Sequence, residues 1–109
     1  MQNETSWLVS NMIDVVVTDV VPMPCQAAAR AGIVSVAVTN FSWDFVYSEY
    51  LAKHGADPRR HDMMRNIAAD YSCCSTLLRL PGFTPMPAFA HVIDVPLVVR
   101  PVRVPPAQV

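Results

Sequence analysis

Charge is scarce in this sequence. Only 16% of its 109 residues are Asp, Glu, Lys or Arg, while 52% are hydrophobic; a soluble domain that clothes its own surface carries about 25% charged residues. A surface this poor in charge expects company, in the form of the rest of a larger protein, another subunit or a membrane. Run length argues against a membrane. No uncharged stretch reaches the roughly 18 residues a bilayer span needs, and the longest, Leu80 to Ile93, is broken by Pro81, Pro85 and Pro87. Basic excess is absent too. The net charge is -1, and Lys53, Arg59, Arg60 and Arg65 are interleaved with Asp57 and Asp62, so no field gathers a phosphate backbone and nucleic acid is excluded as a partner. The amino terminus has no Lys or Arg ahead of its apolar part and carries Glu4 and Asp14, which is not the pattern of a signal peptide. Cysteine is sparse and odd in number, with Cys73 and Cys74 adjacent. That suits reduced thiols in a cytoplasmic protein better than a disulfide framework.

What remains is aliphatic and patterned. Ile13 to Asp19 is a short, β-branched, nearly continuous apolar run, which predicts a parallel strand buried on both faces by helices. Pro22 and Pro24 break the chain after it. Cys25 to Ala31 is small and helix-favouring and ends at Gly32, a helix with a glycine stop. Ile33 to Val38 repeats the strand pattern, Thr39 to Ser42 supplies a polar turn, and Trp43 opens a helix to about Lys53. His54 to His61 reads as a loop, Asp62 to Ser75 as a helix, Thr76 to Leu80 as a third strand and Val92 to Val99 as a fourth, with Pro96 favouring an edge or bulge. The β-α-β-α order predicts an α/β fold, a partial Rossmann-like parallel sheet of three or four strands with flanking helices. Residues 1–100 form one partial domain and residues 101–109 a proline-rich extended tail. A sheet this narrow, without a glycine-rich phosphate loop, implies further strands before Met1 and after Val109.

Ligands of open α/β sheets collect beyond the carboxyl ends of the strands. The residues there are Asp19, then Thr39 to Asp44, then Arg79 to Gly82. Asp19 could accept from a sugar hydroxyl, and Asn40, Ser42 and Asp44 add donors and acceptors beside the flat face of Trp43, so these five residues are the candidate substrate-binding set. Each also has an architectural role open to it. Asp19 could tie down its own loop, Asn40 or Ser42 could cap the next helix, and Trp43 could be core. No catalytic residue stands out. His54, His61, His91, Cys73 and Cys74 lie in different elements without the short spacings of zinc ligands, so no metal site is expected. Cys25, near a helix start, fits a small buried thiol better than a nucleophile.

Several segments in order carry a resemblance: Thr18 to Pro22, Ala31-Gly32-Ile33, Val38 to Phe45, Ile67 to Ser72, Leu78 to Gly82, Pro85 to Phe89 and Val92 to Arg100. Over roughly Asp14 to Arg100 the sequence resembles the amino-terminal, glycosyltransferase-like domain of plant L-arabinokinases. The resemblance implies a GT-B-like domain of a larger protein whose separate kinase domain phosphorylates L-arabinose at C1, with ATP and Mg bound there and no cofactor in this chain. It departs from the family pattern at Gln26, at Cys73-Cys74 and around Asp57 to Arg60. Three functions follow as expectations. The chain is a fragment of an arabinokinase-like protein, sugar-recognising or regulatory and not catalytic alone; or a fragment of an active GT-B glycosyltransferase; or a non-enzymatic protein that binds a full-length relative. Expected partners are a sugar or sugar nucleotide and the remainder of the parent protein.

Overall fold

A computed structural model describes residues 2–55 and 57–108. In chain order the elements are α1 (Gln2–Ser10), β1 (Val15–Thr18), α2 (Met23–Ala31), β2 (Val34–Thr39), α3 (Trp43–His54), α4 (Pro58–Ser72), β3 (Thr76–Arg79), β4 (Val92–Asp94) and a short 3-10 turn at Pro106–Gln108. The fold is α/β. Its four strands are all parallel and lie in the order β1-β2-β3-β4, as the alternation of strand and helix patterns predicts.

Prolines start helices here more than they stop them. Pro22 is the N-cap of α2 and Pro24 lies in its first turn, where a missing N–H costs nothing because that donor has no helical partner anyway. Pro58 does the same for α4, with the Asp57 carboxylate accepting from the Arg59 amide at 3.0 Å. Helix α4 therefore begins at Pro58 instead of Asp62, and most of the expected loop His54–His61 is helical. Gly32 closes α2 at φ 72°, its N–H reaching the carbonyls of Ala28 and Ala29, a left-handed stop that glycine adopts without steric cost. Helix α1 has no counterpart in the sequence reading. Its apolar residues Trp7, Leu8 and Val9 are consecutive instead of spaced for one face, and its packing against α2 gives it support that local pattern does not reveal.

Side chains alternate across the sheet, and the register Val16↔Ser35, Ala37↔Leu77 and Leu77↔Val92 fixes which share a face. One face carries Val16, Thr18, Ser35, Ala37, Thr39 and Leu77. Small residues on β2 let α2 approach closely through Ala27 and Ala28, both buried. Cys25, Ala37, Tyr71, Cys74, Leu77, Met86 and Phe89 form the core on this side.

The opposite face carries Val15, Val17, Val34, Val36, Val38, Thr76, Leu78 and Ile93, and no helix covers it. Val15 is 50% exposed and Val17 68%, so the expectation that β1 is buried on both faces does not hold. The reason is topological. Parallel connections are right-handed, so a sheet that grows steadily in one direction carries all its crossover helices on one side. The helices contact one another in the series α1, α2, α4, α3 and occupy that single side.

The fourth strand is also shorter than expected, ending at Asp94; the Val95 amide still reaches the Arg79 carbonyl at 3.1 Å, which turns the donorless Pro96 toward the free outer edge. Among the described residues no helix is long and apolar enough to cross a membrane.

Candidate functional site

The carboxyl ends of β1 and β2 are held together by one buried side chain. Tyr71, fully buried on α4, donates from its hydroxyl to the Val20 carbonyl at 2.5 Å and accepts from the Trp43 amide at 3.2 Å. A single phenol thus joins the loop after β1 to the first turn of α3. Burial pushes its ionisation up to about 12, so the hydroxyl keeps its proton and its donor role at ordinary pH.

Val20, the acceptor, has φ 58°. A β-branched residue in the left-handed region is strained. Tyr71 from one side and the Thr18 hydroxyl from the other, which donates to the Val21 carbonyl at 3.0 Å, hold the loop in this shape. The adjoining segment is pinned as well, with the Leu80 amide on the Thr39 carbonyl at 3.1 Å and the Thr84 amide on the Asn40 carbonyl at 2.9 Å.

The five predicted site residues fall into two groups on this edge. Asp19 and Asn40 are exposed. Asp19 shapes its loop through its backbone carbonyl, which accepts from the Val21 amide at 2.8 Å, and not through its carboxylate. Ser42 and Asp44 are buried, at 0% and 5% exposure, and the Ser42 hydroxyl and one Asp44 carboxylate oxygen have no hydrogen-bond partner. Ser42 occupies the N-cap position of α3 without making the side-chain cap bond. A polar atom buried without a partner costs about 1–3 kcal/mol. Trp43 sits between the groups, 38% exposed, its ring edge-on to Phe41 at 5.2 Å and tilted against Tyr47 at 5.9 Å. It is braced by aromatic neighbours and still open, which is not the burial of a core tryptophan.

Sequence reasoning missed Tyr71 and Val20. The tyrosine was visible only as a helix-spaced apolar residue, and a left-handed valine has no local sequence signal.

Arg79, the third post-strand position singled out, is committed elsewhere. Its guanidinium makes a two-pronged ion pair with Asp94 at 2.6 and 3.0 Å and lies 3.8 Å over the Phe83 ring. This pair closes the β3–β4 end of the sheet and holds the Asp94 carboxyl below its usual range. Cys25 lies in the core. Its hydrogen bond with Cys74, and then burial, push its thiol well above the ordinary value, the opposite of an activated nucleophile.

Among the described residues no group of His, Cys, Asp and Glu side chains is placed to hold a metal. The loop after β1 ends in Pro22 and uses its Val21 amide internally, so it presents no nest of amides to a phosphate.

Fold and edge together define an open parallel α/β segment, with helices on one side and a braced, partly unsatisfied polar edge at its strand ends. Over 100 residues the chain is 58% identical to the L-arabinokinase of Arabidopsis thaliana, a match that covers 92% of this chain and 9% of that protein. The chain is the counterpart of one segment of a plant L-arabinokinase and spans only that small share of its relative's length. No family model matches the chain, and no solved structure does.

Proposed function

We propose that the chain is a sugar-recognising or regulatory segment of an arabinokinase-type protein, a cytoplasmic GT-B-like piece that catalyses nothing by itself. In this reading ATP and Mg are bound by residues outside the chain. The sugar meets the edge formed by Asp19, Asn40, Ser42, Trp43 and Asp44. The observation that carries the reading is the pairing of buried, unpartnered polar atoms on Ser42 and Asp44 with the open ring of Trp43. A sugar hydroxyl donates to a carboxylate and exchanges hydrogen bonds with a serine hydroxyl, while an aromatic face accepts the apolar side of a pyranose.

The test is a titration of the purified chain with L-arabinose, following tryptophan fluorescence in a Trp7→Phe background so that Trp43 alone reports. A saturable change that disappears in Asp44→Asn is expected, with no ATP-dependent phosphorylation of the sugar. A response to sugar nucleotides in place of arabinose would favour the glycosyltransferase reading. Turnover by these residues alone would contradict the assignment outright.

A further inference from the structure

We infer that the bare face of the sheet, with the free outer edge of β1, is a docking surface for the polypeptide that flanks this segment in an arabinokinase-type protein. The flanking polypeptide would supply apolar helices to the face and a strand to the edge.

The face is aliphatic across three strands apart from Thr76 of β3, which lies opposite Val36. Val15 and Val17 on β1, Val34, Val36 and Val38 on β2 and Leu78 on β3 lie side by side by register, with Ile93 of β4 opposite Leu78. No charged residue falls among them. Val17 and Val34 are more than half exposed. All-parallel sheets occur almost only with both faces covered, and contiguous apolar patches of this kind mark interaction surfaces. The edge has the same character. β1 is paired on one side only, and its Val15-Val16-Val17 run has none of the lysines, prolines or bulges that protect a natural edge strand.

The occupant follows from handedness and from length. Another strand-helix unit added beyond β4 in the same direction would place its helix on the side already covered. Helices reach the bare side only on connections that run the other way across the sheet, from β4 toward β1 and beyond. No such connection exists among the described residues. The matched segment is 9% of the relative, so the polypeptide available to make it is ample. A second copy of this chain is the competing occupant. It would also bury valines, but a two-fold partner brings no connection that satisfies the handedness rule within one polypeptide. The proposal rests on the sheet and not on the sugar reading, and either can fail without the other.

The test is co-expression of the tagged chain with the flanking polypeptide of the Arabidopsis relative from which the matched segment has been removed. An equimolar complex is expected. Val17→Lys and Val36→Lys should each reduce its yield more than about tenfold, since both place a charge in an apolar contact. Glu49→Lys, an exposed change on α3 away from the face, should leave the yield unaltered. Circular dichroism of each variant alone checks that the sheet survives. Chain that stays free of the flanking polypeptide, or that forms a stable self-dimer abolished by Val17→Lys, overturns the proposal. So does a complex indifferent to both valine variants while the variants remain folded.

Discussion

The two faces of the sheet are built from different residues, and the more apolar face is the one left open. The covered side presents Ser35, Ala37 and Thr39 on its central strand, small groups over which Ala27 and Ala28 of α2 settle closely. The open side presents Val34, Val36 and Val38 from the same strand, with Val15 and Val17 beside them. Hydrophobicity alone therefore does not say which surface this chain buries within itself. The connections decide that, and because they all run one way, the aliphatic side is left for something outside the chain. The scarcity of charge has the same origin, since a surface intended for contact is not clothed with solvated side chains.

The sharpest way to break this contrast is to truncate one aliphatic side chain to alanine on each side. Leu77→Ala, on the covered face, should cost about 2–5 kcal/mol in urea unfolding because the cavity cannot collapse under α2 and α4. Val17→Ala, on the open face, should change the isolated chain by no more than about 0.5 kcal/mol. Equal losses at the two positions would mean that the open face is packed after all.

The next largest effect concerns the covered side's one buried phenol. Tyr71 ionises at about 12 in the folded chain, against an ordinary value of 10.0. A folded value raised above the unfolded one stabilises fully below pH 10 and loses that contribution as pH rises toward 12, an effect of about 2–3 kcal/mol at most. Stability measured by urea midpoints should therefore fall as pH rises above about 10, in addition to the loss from the raised Cys25 thiol, which begins nearer its ordinary value of 9.0. Tyr71→Phe should make the fall above pH 10 shallower and lower the stability at neutral pH by about 1–3 kcal/mol, because the Val20 carbonyl and the Trp43 amide lose their shared partner. A smaller effect is expected at Val20. Val20→Gly should raise stability by up to about 1 kcal/mol through relief of the left-handed valine, less whatever the freer unfolded chain takes back. A loss of several kcal/mol there would show that the valine side chain, and not the strain, matters to the loop.

Sequence pattern foretold the parallel sheet because its signals are local. The valine runs and the glycine after Ala31 each act within a few residues, and Gly32 takes the left-handed stop that the helix needs. Signals that depend on context were misread. Pro22 and Pro24 part strand from helix as the sequence reads, but Pro58, read as part of a loop, is a helix start. The Val15–Val17 run has the composition of a strand covered on both faces, and that composition suits the sheet with its missing cover in place, not the chain by itself. Asp19 and Asn40 to Asp44 could be placed beyond the strand ends because strand ends can be counted from the sequence. Tyr71 could not be, since its hydroxyl meets Val20 from 51 residues away, and no periodicity records a contact at that separation.

Amide hydrogen exchange compares the two settings most directly. It should be measured on β1 and β2 in the isolated chain, and again with the chain substituted for the matched segment of the full-length Arabidopsis relative. Docking of a strand along β1 and helices over the valines should slow exchange at Val15–Thr18 by more than about a hundredfold in the longer protein. The protection of Leu77 and Leu78, on the internal strand β3, should rise far less. Exchange at Val15–Thr18 that is equally fast in both settings would show that the open face and its edge stay open, and that the flanking polypeptide does not cover them.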